Sequence, residues 1–279
     1  MKINLAEADG LANSFLIFDL GLTKAEESLE RAKPLIVDKL NISRKDSALV
    51  IFDQVEQTRT GLKQMRIMEK DGSESLMCGN GLRAVGKYLF EAFGREEEEL
   101  ITLAGPRKVK MLDSKNFEAD LGKFEYEGHY FLPEDNLFVH MANVGEPHAV
   151  IFCTRAEVEG VLSKYGLPLA KDGLLAGQKI GRRNLNVVEL PDDFFRNPTV
   201  AEGLRNRTFE RGVNAETMAC GTGSACVAGV FNKLRSQNRQ PALDIITRAG
   251  NLRVNMEREK ISIVGAADLK SVQLIDVTV

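Results

Sequence analysis

The chain has 279 residues, 43% of them hydrophobic and 28% charged, with a net charge of −3. That length allows one large domain or two ordinary ones with a real apolar core, and the slight acidity leaves no basic footprint for nucleic acid. No apolar run reaches the length of a membrane span, and Met1 to Gly10 carries acidic residues where a secretory leader would be apolar, so a cytoplasmic location is expected.

In chain order, helical spacing predicts a helix over Glu26 to Lys39. A strand is expected from Lys63 to Lys70, closed by the turn Asp71-Gly72. Apolar residues Leu82, Val85, Leu89, Phe90 and Phe93 then recur at helical spacing. Short strands follow at Arg107 to Leu112, Phe117 to Leu121 and Ala149 to Cys153. A helix is expected at Arg155 to Lys164, a strand at Asn184 to Leu190, a helix at Thr199 to Arg205 and a strand at Thr208 to Glu210. Val227, Val230, Phe231 and Leu234 mark the next amphipathic helix. Leu252 to Met256 and Lys260 to Val264 form an expected hairpin, and Val272 to Val279 a last strand. The result is an α+β chain, mostly strand, with one principal helix in each half.

Two stretches nearly repeat each other: Met77-Cys78-Gly79-Asn80-Gly81 and Ala219-Cys220-Gly221-Thr222-Gly223, about half the chain apart. Each puts a cysteine before a glycine-spaced turn that enters one of the two helices. Glu69-Lys70-Asp71-Gly72 precedes the first and Glu210-Arg211-Gly212 the second, while Glu74 and Glu216 each stand four residues before their cysteine. So long a period indicates duplicated domains, not a solenoid. The boundary is placed near Gly122: residues 1–121, to which residues 268–279 return, and residues 122–267.

A thiol at a helix start faces N–H groups without intrahelical acceptors and the positive end of the helix dipole, both of which favour thiolate. Two such thiols suggest an acid and a base. Cys153, in the apolar run Ala149-Val150-Ile151-Phe152, and Cys226, inside the second helix, read as small core residues. With four cysteines, no Cys-x-x-Cys spacing and three histidines, no metal site is expected.

These residues resemble the diaminopimelate epimerase family of PLP-independent amino-acid racemases and epimerases. The resemblance runs through Asn13-Ser14-Phe15, Phe52-Asp53-Gln54, Asp71 to Arg83, Pro147-His148, Asn184, and Glu210 to Gly223. Proline racemases share the two-thiol logic but have a histidine where this chain has Asn80. The resemblance implies two pseudo-symmetric β-rich domains, each wrapped around a central helix, with the active site in the cleft between them. It implies Cys78 and Cys220 as a cofactor-free base and acid, and backbone N–H groups at Gly79, Asn80, Gly81, Gly221 and Thr222 as holders of the substrate's α-carboxylate. Asn13, Gln54, Asn80, His148, Asn184, Glu210 and Arg211 would line the pocket, the last two gripping the far ammonium and carboxylate of diaminopimelate. The expected partner is a small amino acid, with neither nucleic acid nor membrane; a homodimer is compatible.

Two positions depart from the family, which has asparagine where this chain has Glu69 and commonly asparagine at Glu146. Both help recognise the far end of the substrate, and added carboxylates there suit a cation better than a second carboxylate. Diaminopimelate is the leading substrate; the alternative is racemisation of histidine, lysine, ornithine or arginine on the same scaffold. A non-catalytic amino-acid-binding module is the reading from a different class, and the intact cysteines argue against it. Gly221-Thr222-Gly223 as a phosphate turn lacks the lysine of a P-loop.

Overall fold

In the computed structural model the chain begins with an antiparallel hairpin, β1 (Lys2–Gly10) and β2 (Asn13–Thr23). Residues 2–11, 13–23, 25–54, 62–190, 203–235, 239–258 and 260–276 are described. A crossover through α1 (Ala25–Ser43) leads to β3 (Ser47–Gln54), parallel to β2. β4 (Lys63–Met68) pairs antiparallel with β3 and with the two-residue β5 (Glu74–Ser75). After α2 (Gly79–Phe93), β6 (Glu97–Thr102) lies parallel to β4, and β7 (Gly105–Met111) and β8 (Asn116–Lys123) continue antiparallel. The C-terminal strand Asp268–Asp276 pairs antiparallel with β1. These elements form one unit, Met1–Asp120 with Gly265–Val279.

Alternation explains how this unit holds two helices. Ile3 and Leu5, Leu16, Phe18 and Leu20, and Ala48, Val50 and Phe52 form one core with Leu29, Ala32, Ile36 and Leu40 of α1. Residues between them are also buried, Ile17, Leu49 and Ile51 fully so. They serve the opposite face, where Leu49 lies against Gly81 of α2. Strands covered on both sides read as continuous apolar runs, so β2 and β3 have no alternating signature. Each such side chain contributes about 1.5–3 kcal/mol on burial.

The second unit, Leu121–Val264, repeats the plan. β9 (Glu125–Leu132), β10 (Leu137–Asn143) and β11 (Pro147–Thr154) are successively antiparallel. α3 (Val158–Leu167), a π-helical turn at Pro168–Asp172 and the small hairpin β12 (Leu174–Leu175) and β13 (Gln178–Lys179) lead to β14 (Asn184–Leu190), parallel to β11. β15 (Leu204–Glu210) is antiparallel to β14 and to β16 (Ala215–Thr217). α4 (Gly221–Leu234) precedes β17 (Ala242–Thr247), parallel to β15, and the antiparallel β18 (Gly250–Glu257) and β19 (Lys260–Ala266). α3 packs with Val139, Met141, Ile151, Cys153, Leu185 and Val187 on one sheet face. α4 is buried continuously from Gly221 to Asn232.

The duplication extends to side chains. Arg66 holds Glu74 at 2.5 Å and Arg207 holds Glu216 at 2.6 Å. Thr102 donates to the Gly105 carbonyl and Thr247 to that of Gly250, each at 2.7 Å. The protein is therefore α+β, two similar β-rich domains each built around a central helix.

Two expectations need correction. Residues 199–202 lie outside the described residues, but Leu204 and Arg205 belong to β15, not to a helix. Leu204, Asn206 and Thr208 are buried at every second position, so pairing with β14 and β17 decides the conformation. The helix expected from Arg155 begins at Val158, after a turn in which the Glu157 carboxylate accepts from both Thr154 N and Oγ1. Residues 277–279 of the expected last strand lie outside the described residues.

Candidate active site

In the first unit, Cys78 is the N-cap of α2, with extended backbone (φ −141°, ψ 107°), and its Sγ accepts from Gly81 N at 3.3 Å. Cysteine here does the work of a capping serine or aspartate. Gly81 is needed: a Cβ would lie 2.9 Å from Leu49 and 3.4 Å from the Cys78 sulfur. Asn80, 2% exposed, donates through Nδ2 to Asn13 Oδ1 and accepts through Oδ1 from Arg83 Nη2 at 3.0 Å. Arg83 is completely buried, and its Nε and Nη1 find no hydrogen-bond partner among the described residues. Burial lowers its pKa to about 10, against the opposing pull of Cys78.

Glu69 follows β4, and both its carboxylate oxygens are used within the unit: Ser75 Oγ donates at 2.7 Å and Ser47 Oγ at 3.0 Å. Gln54 closes β3, and its side chain lies outside the described residues.

In the second unit, Cys220 is the N-cap of α4 (φ −128°, ψ 115°) but has no side-chain cap bond to the helix. Its Sγ lies 3.4 Å from Thr222 Oγ1, which is 3.0 Å from His148 Nε2. The residue two after each cysteine thus bonds to the start of the strand that leads into its own domain's helical crossover: Asn80 to Asn13 of β2, Thr222 to His148 of β11. The parallel register of β11 and β14 sets His148 beside Asn184, whose Oδ1 accepts from Arg211 N at 2.9 Å.

Asn186 determines the histidine tautomer. Its Nδ2 donates to the Ala149 carbonyl at 3.2 Å and lies 2.9 Å from His148 Nδ1, closer than the 3.4 Å between Asn184 Nδ2 and Nε2, so Nδ1 accepts and Nε2 carries the proton toward Thr222. Thr208 Oγ1 donates to Asn186 Oδ1 at 3.0 Å, fixing the amide further. Burial first, then Arg211 and Arg183, lower the His148 pKa to about 3, so the ring is neutral near pH 7.

Glu210 accepts from Thr217 Oγ1, as Glu69 does from Ser75 at the matching place of the repeat. Arg211 Nη2 is ion-paired with Oε2 of the buried Glu146. At both helix starts, Gly79, Asn80, Gly81, Gly221 and Thr222 are first-turn residues, whose N–H groups have no acceptor within the helix and suit an anion. Burial pushes Cys153 up to about 12 and Cys226 well above the usual thiol value, which leaves both as protonated core thiols. None of the four cysteines is in a disulfide. Among the described residues no group of His, Cys, Asp and Glu could hold a metal, and no helix is long and apolar enough to cross a membrane.

Sequence reasoning missed Arg83, Asn186, Thr208 and the serines beside Glu69. A signal existed for one pair: Asn184 and Asn186 stand among the apolar Leu185, Val187 and Val188 of a buried strand, where an amide must find partners.

The diaminopimelate epimerase family model matches residues 140–270. A diaminopimelate epimerase of Archaeoglobus fulgidus is 26% identical, across 96% of this chain and 94% of its own length. That of Methanothrix thermoacetophila is 30% identical, across 95% of this chain and 93% of its own length. The chain belongs to the diaminopimelate epimerase family. As a member of this family the protein is an isomerase, an amino-acid epimerase. Solved structures share the family's fold at much lower identity. A hydroxyproline epimerase from Agrobacterium vitis matches with a TM-score of 0.70 at 11% identity, over 98% of this chain and 91% of that one. A PhzF-family phenazine biosynthesis protein of Bacillus anthracis matches with a TM-score of 0.70 at 14% identity, over 99% and 100%.

Proposed function

We propose that the protein inverts an α-carbon of diaminopimelate without a cofactor, with Cys78 and Cys220 as paired base and acid. The observation that carries this reading is the duplication: each domain sets one cysteine at the N-cap of its buried central helix, next to first-turn N–H groups. One thiolate takes the α-proton, and the electron pair of the broken C–H bond moves onto the α-carboxylate. The other thiol delivers its proton to the opposite face, leaving its own sulfur as thiolate. A single base would tend to return the proton to the face it came from. N–H groups at Gly79, Asn80, Gly81, Gly221 and Thr222 offset the charge that develops on the carboxylate. Asn13, Asn80, His148 and Asn184 orient these turns, Gln54 joins them by family resemblance, and Glu210 and Arg211 meet the far ammonium and carboxylate.

Full-length relatives named diaminopimelate epimerase support this substrate. One observation favours a second reading. Arg211 is already paired with Glu146, so less of its charge is available to a substrate carboxylate. Such a pairing suits a far end that is purely cationic, as in lysine, ornithine, arginine or histidine. Incubation with each amino acid in D2O, without added cofactor, tests both readings. Deuterium entering Cα of LL-diaminopimelate fastest supports the first, and preference for a mono-carboxylate supports the second. No exchange into any of them refutes both.

A further inference from the structure

We propose that Arg83 is the counter-charge that keeps Cys78 as the resting thiolate, so that Cys78 and Cys220 enter the reaction in fixed and different protonation states. Arg83 lies on α2 five residues after Cys78 and is completely buried. Its Nη2 is anchored to Asn80 Oδ1 at 3.0 Å, in the turn that carries the thiol. Its Nε and Nη1 have no hydrogen-bond partner, and no carboxylate pairs with it among the described residues. A buried cation without an anion is costly, and such groups are normally paired.

Acids on β1 and β2, which pack against α2, are engaged elsewhere: Asp9 with Lys270, Glu7 with Lys45 at 2.8 Å, and Asp19 with the Tyr88 hydroxyl at 3.0 Å; on the C-terminal strand, Asp268 acts on Lys270 and Asp276 stands in register opposite Lys2. β7, also packed on α2, carries only basic ionisable side chains. The group that acts on the Arg83 guanidinium is the Cys78 thiol, in the turn that Arg83 Nη2 braces through Asn80. Its sulfur additionally accepts from Gly81 N.

The second domain lacks this arrangement. Ala225 stands five residues after Cys220, in the place of Arg83. The sulfur of Cys220 meets the Thr222 hydroxyl, which is bonded to a neutral imidazole. Arg211 and Arg183, the cations that act on that histidine, hold Glu146 and Glu127. One thiol of the repeat therefore has a buried arginine on its own helix, and the other meets a hydroxyl bonded to a neutral imidazole. Arg83 acts through Cys78 and is a positioning residue.

The inference deepens the two-thiol reading above, but its test follows thiol ionisation without turnover and so stands apart from substrate and catalysis. Native protein is alkylated with iodoacetamide across pH, and the rate at each cysteine is read by peptide mass spectrometry. The pH midpoint, unlike the absolute rate, is independent of access. Cys78 should ionise at lower pH than Cys220 in the unmodified chain. Arg83→Met should slow Cys78 alkylation at pH 7 by about tenfold, leave Cys220 unchanged, and be rescued by Arg83→Lys. Thermal melts establish folding of each variant. An unchanged Cys78 midpoint in folded Arg83→Met overturns the proposal. So does ionisation of Cys220 before Cys78 in the unmodified chain, a measurement that needs no variant to fold.

Discussion

Arg211 and Glu146 form an ion pair within the second domain, the guanidinium Nη2 meeting a carboxylate that is buried against it. Glu146 stands where the family commonly has asparagine, which cannot draw on the charge of Arg211. Glu146→Asn should release Arg211 to a substrate carboxylate, raising the ratio of kcat/KM for LL-diaminopimelate to that for L-lysine by about tenfold. Steady-state kinetics on both substrates measure it, and an unmoved ratio shows that the pair does not set selectivity. Glu69→Asn should change the ratio less, because Ser47 and Ser75 already occupy both Glu69 oxygens.

Cys78→Ala and Cys220→Ala should each reduce epimerisation by at least about a thousandfold, since a two-base exchange cannot complete with one thiol. Cys78→Ser should keep the cap bond from Gly81 N and still be inactive, as a hydroxyl remains protonated at neutral pH. Near-normal turnover by either alanine variant would end the two-base mechanism.

Alkylation of the folded protein should label Cys78 and Cys220 and spare Cys153 and Cys226. Burial holds the first of the spared pair up to about 12 and the second well above the usual thiol value. All four should react in denaturant. Labelling of Cys226 in native protein would show that α4 opens.

His148 should stay neutral down to about pH 4, with its ring proton signals flat between pH 5 and 8. Its folded pKa, about 3, lies below the ordinary 6.5, and His140 at about 4 is shifted the same way by burial and by His129. The unfolded chain therefore binds protons that the folded chain does not as pH falls below 6.5. The stability these neutral rings contribute is present above pH 6.5 and is lost progressively toward pH 3 to 4. Urea unfolding at a series of pH values checks the sign: a midpoint that rises between pH 6.5 and 5 would contradict it.

Gly223→Ala should destabilise the protein by about 1–3 kcal/mol. An added Cβ would lie 2.3 Å from Asn186 Oδ1, the amide that sets the His148 tautomer. A thermal melt measures the loss, and epimerase activity should fall with it.

The sequence by itself determined the duplication, the two cysteine-led helices and the family. These are local signals: a thiol before a glycine turn and an apolar stripe at helical spacing are written in consecutive residues. It left other strands obscure. β2 and β3 are buried on both faces and lose alternation. The acidic run Glu96 to Glu99 conceals β6, where Glu98 turns inward to Arg95 at 2.6 Å. β15 forms where a helix was expected because its partners lie elsewhere in the chain. Only the tertiary structure decided which charges are already spent. That Glu69 is held by two serines, that Arg211 is claimed by Glu146, and that Arg83 is buried without a carboxylate partner depends on residues distant in sequence. Ion pairing and desolvation are set by distance and burial, which residue spacing along the chain does not encode.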